Sequence, residues 1–255
     1  MKNKRFQFAA LIVLFNLFTI VGCSQHNTAF KAIHPGTIEL IDLGESDDKL
    51  NPHHAYKVKN KIIYATSTTT HPSVYSAHLL EHTEINKGES VLDIGTGTGI
   101  QAVFAAEKAS HILATDINKD ALENTLLNAR RLGLANKISV RESDLFNAIK
   151  PEEKFDVIIS AIPFAWNVSN QGNWKLQERF FRDVGKHLKP NGRIYFSTGY
   201  LRNMPRTKAM AEKNGLKIIR VNMDYSRIQD IEPVVYVFKH EKYAKWLAKD
   251  LVEKK

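Results

Sequence analysis

Residues 91–117, VLDIGTGTGIQAVFAAEKASHILATDI, constrain this chain more than any other stretch. A short apolar strand (Val91, Leu92, Ile94) runs into three glycines spaced by two, Gly95, Gly97 and Gly99. A helix-compatible run follows from Ile100 to Lys108, and a second β-rich run, His111 to Thr115, ends on Asp116. Strand, glycine turn, helix and a second strand closing on an acid describe one βαβ nucleotide-binding unit. The glycines let backbone approach a ligand closely, and the acid stands where it can accept hydrogen bonds from a ribose diol.

The spacing narrows the ligand. A dinucleotide fingerprint, G-x-G-x-x-G, needs a third glycine where this chain has Ile100, which disfavours a nicotinamide oxidoreductase. A P-loop is excluded because no Gly-Lys-Ser/Thr follows. The observed pattern is Gly-x-Gly-x-Gly with Asp93 two residues ahead, and it resembles motif I of the class I S-adenosylmethionine (AdoMet) methyltransferases. That resemblance implies AdoMet as cofactor, with the glycine loop packed on its methionine part. It implies that Asp93 supports the ammonium group and that Asp116 holds the ribose hydroxyls.

Further stretches carry the same likeness. Thr70-His71-Pro72-Ser73 resembles the segment before motif I in ribosomal-protein lysine methyltransferases and in the small-domain methyltransferases, which include the release-factor glutamine enzymes. In those families it lies over the cofactor pocket; as bare sequence, Thr68–Thr70 and His71 read equally as a helix cap, with Pro72 opening a helix near Thr70–His71. Val74, His78 and Leu79 would share one face of that helix. After Asp116, the run DINKDALENTLLNARRLGL reads as a helix on Ala121, Leu122, Thr125, Leu126, Ala129 and Leu132, stopped by Gly133. It resembles the same stretch of the small-domain enzymes. A third strand, Ile138–Val140, leads to Asp144, which matches the family acid that bonds the adenine amino group. By the same likeness, Thr96, Ile117, Leu145 and Ser160 join Thr70 and His71 as expected cofactor contacts.

A fourth strand, Phe155–Ser160, is followed by Ala161-Ile162-Pro163-Phe164. The release-factor and adenine-N6 relatives carry Asn-Pro-Pro-Tyr/Phe there, and their Asn aligns the target nitrogen. Ala161 has no side-chain acceptor, and positioning is most of what such an enzyme adds to bringing two reactants together. Pro163, Phe164 and Trp166 remain as candidate acceptor contacts, the two rings either stacking a planar substrate or forming a hydrophobic lid. No residue can be nominated as a general base.

The rest of the chain completes an α/β layout. Residues 173–188 read as a helix with Trp174, Phe180, Phe181, Val184 and Leu188, and Pro190-Asn191-Gly192 as a turn into a fifth strand. A helix over 204–214 precedes strands Leu216–Val221 and Val234–Phe238. The resemblance implies a Rossmann-like, seven-stranded, mostly parallel sheet with an antiparallel edge hairpin and helices on both faces. Residues 56–240 would form that methyltransferase domain. Within it, residues 56–64 read as a small hairpin around Lys59-Asn60-Lys61, and residues 241–255 as a basic amphipathic helix.

The N-terminus has its own signature. Lys2, Lys4 and Arg5 precede an apolar run that ends in Ile20-Val21-Gly22-Cys23, resembling a bacterial lipoprotein signal with Cys23 as the lipidated residue. Phe6–Gly22 is shorter than the ~20 residues of a spanning helix and contains Gln7 and Asn16, which favours a cleaved signal over residues 1–22. Residues 23–55 then read as a tether or loosely packed arm, with His53-His54 too isolated to suggest a metal site. Cys23 is the only cysteine, which excludes an internal disulfide. Losing Lys2, Lys4 and Arg5 lowers the formal net charge from +9 to +6, the mild basicity of an ordinary solvated surface.

These readings lead to an AdoMet-dependent N-methyltransferase acting on a protein or nucleic acid and membrane-associated through its N-terminus. Export conflicts with a cofactor made in the cytoplasm. Its resolutions are a cytoplasmic protein with a misassigned start, or a non-catalytic binding lipoprotein on a methyltransferase fold.

Overall fold

The structure, a computed structural model, describes residues 31–32, 38–45, 53–164, 170–223 and 233–244. The signal segment, Cys23, Trp166 and most of the C-terminal helix expected from the sequence lie outside these residues.

Runs of apolar residues build the centre. Strands β5 (Ser90–Ile94), β6 (His111–Asp116) and β8 (Phe155–Ser160) are almost continuously apolar, as strands covered on both faces must be. With β7 (Ile138–Glu142), β9 (Leu188–Thr198), β10 (Leu216–Met223) and β11 (Val234–His240), they form a seven-stranded sheet in the order β10-β11-β9-β8-β5-β6-β7. The β5–β6, β5–β8, β6–β7 and β8–β9 pairs are parallel; β11 runs antiparallel to both β9 and β10. The mostly parallel sheet and its antiparallel edge are those expected from the sequence.

Successive residues of one strand feed opposite cores. Val91, Val157 and Ile159 join the side covered by helices α1 (Val74–His82), α2 (Ile100–Ala105) and α3 (Lys119–Arg131). Leu92, Ile94 and Ile158 join the side covered by α4 (Gln171–Val184) and α5 (Met204–Lys213), where Trp174, Phe180, Phe181 and Phe196 pack.

Four further strands form a separate antiparallel sheet: β1 (Lys31–Ala32), β2 (Leu40–Glu45), β3 (His53–Val58) and β4 (Lys61–Thr66). The β3–β4 hairpin closes over Lys59-Asn60, as its flanking β-formers predict. Residues 40–45 and 53–55, which read as a loose arm, are instead paired strands. A bulge between Asp42 and Gly44 breaks the period-2 signal of β2, and its side chains are half-buried or exposed, so alternation is weak there. Val58, Ile63 and Ala65 of this sheet are buried in the same core as α1 and α2.

Several boundaries move, and Leu188, read as helical, opens β9 instead. Helix α1 starts at Val74 with Ser73 as its N-cap, so Pro72 precedes the cap rather than opening the helix. Pro190-Asn191-Gly192 is not a turn before a strand but an irregular stretch inside β9, between its Leu188 and Arg193 pairings with β8. Asn191 takes a left-handed backbone there, φ 61°.

Candidate functional site

The glycine loop hangs from the end of β6. The amides of Gly95 and Thr96 donate to the Thr115 carbonyl at 2.8 and 3.0 Å. The Asp116 carboxylate takes the Gly97 amide on Oδ2 and the Asn118 amide on Oδ1, both at 3.0 Å. One acid thus fixes the loop and the start of α3 together. Gly97 and Gly99 both have positive φ, 53° and 77°, where L side chains are strained. The Thr70 carbonyl oxygen would lie 3.6 Å from a Cβ on Gly97, so the segment before α1 crosses directly over the loop.

Asp93 lies beneath that loop. It is 2% exposed, its Oδ2 accepts from the Thr96 hydroxyl at 2.7 Å, and burial pushes its carboxyl up to about 7, with the Asp116 charge adding to the rise. In this structure its carboxylate bonds to the loop through Thr96 and to the backbone of Ala102 in α2. Ser160, at the end of β8, is fully buried and donates to the Ile94 carbonyl at 3.3 Å.

Around this centre the structure gathers the other expected residues. His71 Nδ1 is hydrogen-bonded to the Tyr56 hydroxyl at 2.8 Å, and His54, itself bonded to Asp42, lies with its ring 5.3 Å from that of His71. The small sheet therefore grips the segment that crosses the loop. Burial, then the Asp42 charge, pushes the Tyr56 phenol up. Ile117, directly after Asp116, is 67% exposed, an unusual position for a large aliphatic side chain. Leu145 is buried with φ 53°, and the adjacent Asp144 is paired with Arg179 Nη2 at 2.7 Å. Nothing in the sequence pointed to that partner.

On the opposite side of the crevice, Ile162 is buried and would touch a Cβ on Gly95 at 3.4 Å, while Ala161 and Pro163 are exposed. Phe164 packs between Tyr75 (centroids 4.9 Å) and Tyr200 (5.9 Å, edge-on), lying flush on Gly199. Asn173 donates to its carbonyl at 2.9 Å. Of the two readings of this ring, its packing matches the hydrophobic lid.

Sequence reading missed the two residues that dock the sheets. Asn124 and Asn128, one turn apart on α3, are 2% and 0% exposed. Asn124 Oδ1 accepts from the Thr66 amide (2.8 Å) and the Thr69 hydroxyl (3.1 Å); its Nδ2 donates to the Tyr64 carbonyl at 2.7 Å. Asn128 accepts from the Tyr64 amide at 2.9 Å and donates to the carbonyls of Tyr64 and Thr98, both at 2.8 Å. Two amides spaced by four among Ala121, Leu122, Thr125 and Ala129 on the buried helical face are the signal that marks them.

The residues fit AdoMet. Gly97 of the loop faces backbone alone, Asp116 is a half-exposed carboxylate at the end of β6, and Ile117 offers an uncovered apolar surface for a base. Comparison with known proteins agrees. The methyltransferase small domain family model matches residues 69–219. A ribosomal protein L11 methyltransferase of Caldicellulosiruptor bescii is 36% identical over 160 residues, 62% of this chain and 47% of that protein. A release factor glutamine methyltransferase of Rhodopirellula baltica is 39% identical over 77 residues, 29% of this chain and 26% of that protein. A ribosomal protein L11 methylase structure from Lactobacillus delbrueckii subsp. bulgaricus shares the fold at a TM-score of 0.50 and 24% identity, covering 61% of this chain and 71% of that one. The chain spans about half the length of the L11 relatives it matches. The family match takes in more than half of the chain and includes the glycine loop, Asp116 and the strand before Ala161; on that ground the chain belongs to the methyltransferase small domain family, with AdoMet as its cofactor.

Proposed function

We propose that this chain transfers the methyl group of AdoMet to a nitrogen of a protein side chain. The observation that carries the reading is Asp116, which fixes the glycine loop through Gly97 while keeping a half-exposed carboxylate beside the uncovered Ile117. AdoMet, when bound, supplies a methyl group activated by its sulfonium. The chain's own part is orientation: the Thr70–Ser73 segment covers the loop, and the packed Phe164 walls off the far side of the crevice. The protein acceptor is supported by the names of both groups of relatives, which methylate ribosomal protein L11 and release factor. Ala161 argues against a glutamine or adenine acceptor held by a side-chain amide.

Calorimetric titration with AdoMet, beside Asp116→Ala, is the first test, followed by transfer from labelled AdoMet into the protein and RNA fractions of a cell extract. Binding lost in the variant, with label in the protein fraction, supports the proposal. Folded protein that binds no AdoMet overturns it.

The N-terminal sequence supports a second layer of the proposal: residues 1–22 direct export, and Cys23 is lipidated and anchors the domain to a membrane. Among the described residues no helix is long and apolar enough to cross one. An outward-facing domain would lack AdoMet, and with Ala161 this favours a non-catalytic binding lipoprotein as the second reading. Mass spectrometry of the mature N-terminus, with Cys23→Ser as control, tests the anchor; AdoMet binding without transfer would select the second reading.

A further inference from the structure

We propose that α1 carries a site for a divalent transition-metal ion, formed by His78, Glu81 and His82. The three are spaced i, i+3 and i+4, which puts them on one face of the helix. One donor atom from each lies within 4.8 Å of the other two, and the two imidazole rings pack edge-on with centroids 4.5 Å apart. Zinc bonds of about 2.0–2.2 Å set tetrahedral donors about 3.4 Å apart. Binding an ion would draw the three donors together by the remaining ångström or so.

The surroundings suit such an ion. His78 is buried and the other two are half-buried, so the donors are partly dehydrated yet reachable. The Asn222 carbonyl on β10 lies 3.4 Å from His78 Nε2, and a backbone carbonyl is a common partner for the ring nitrogen that a metal leaves over. The neighbouring Arg220 directs its guanidinium to Glu84 at 2.8 Å, which offsets its charge. Two imidazoles and one carboxylate select zinc, nickel or copper over magnesium or calcium, which prefer all-oxygen shells. Three protein donors leave a fourth position for water or a further ligand.

The site is separate from the glycine loop and lies on the helix that follows the loop's covering segment. Helix α1 follows directly on the segment that crosses Gly97. An ion at its C-terminal half would brace the helix on the β10 side, and so steady the covering segment at its other end.

Titrating the metal-free full chain with Co²⁺ tests this directly, because tetrahedral Co²⁺ bound by nitrogen shows visible absorption bands. One equivalent should bind with micromolar or tighter affinity, displaced by Zn²⁺, and Zn²⁺ should raise the melting temperature. His82→Gln and Glu81→Gln should each weaken binding at least tenfold and abolish the thermal shift; neither residue is deeply buried, so both variants should fold. His111→Gln, on an exposed histidine of β6 hydrogen-bonded to Ser139, should behave as the parent. Absent bands, or parental affinity in both α1 variants, would overturn the site whatever the outcome for methyl transfer.

Discussion

Thr125 occupies the space that a side chain on Gly99 would need. A Cβ there would lie 2.8 Å from Thr125 Cγ2 and 2.9 Å from Oγ1, and Gly99 already holds φ 77°. Thr125 is itself fixed, donating to the Gly97 carbonyl at 3.2 Å. Gly99→Ala should therefore cost about 2–4 kcal/mol, combining about 1–2 for the left-handed backbone with the overpacking penalty. Urea unfolding measures this, and adding Thr125→Ala to Gly99→Ala should return part of the loss. Simple additivity of the two would mean that the contact is not what excludes a side chain.

Ile117→Ser should leave the free protein's stability within about 0.5 kcal/mol, since the side chain is largely in water already. AdoMet affinity should fall about tenfold, equivalent to about 1.4 kcal/mol. Calorimetry on parent and variant separates the two effects, and equal affinities would mean that the adenine ring lies elsewhere.

Asn128→Ala should destabilise the fold by about 2–4 kcal/mol, because it leaves the Tyr64 amide and the Thr98 carbonyl without the Asn128 side chain, while the Tyr64 carbonyl keeps Asn124. Asn128→Asp should not rescue, since a carboxylate cannot donate to the Tyr64 and Thr98 carbonyls. Hydrogen exchange at the Tyr64 amide should speed up in Asn128→Ala, which removes its acceptor.

Stability should fall as pH rises between about 4 and 7 through Asp93. Its folded carboxyl titrates at about 7 and its ordinary value is 3.8, so the folded chain binds more protons than the unfolded chain over that interval. This contribution is complete below the ordinary value and is lost as pH passes the folded one. Asp93→Asn should flatten that part of the curve in denaturant titrations at several pH values. An unchanged slope would assign the effect to other groups.

The central sheet was legible because its strands advertise themselves: covered on both faces, Val91–Leu92 with Ile94 and Val157–Ile159 are rich in apolar residues, and the first runs straight into Gly95. The glycine loop and Asp116 were legible for a different reason, since backbone geometry there admits few residue types. The small sheet was not. Its β2 has half-exposed side chains and a bulge, and its docking depends on two amides whose partners are backbone groups some 60 residues away in sequence. Asp144 shows the other limit. Its place after β7 can be read from the chain, but the arrival of Arg179 from α4 is a tertiary fact. Phe164 was recognisable as an aromatic at the crevice, and only packing shows that Tyr75 and Tyr200 already hold its ring.

The sheet order reverses direction at the β5–β8 junction: from β5 the chain proceeds outward through β6 and β7, and then returns to lay β8 on the other side. The loop with its Asp116 anchor belongs wholly to the first flank, while Ala161–Phe164 leaves from the second. The glycine loop and the Ala161–Phe164 segment are thus pieces of chain distant in sequence that meet across the β5–β8 seam. A substitution at Ala161 or Pro163 therefore falls on a different piece of chain from the Asp116-anchored loop and makes none of its hydrogen bonds.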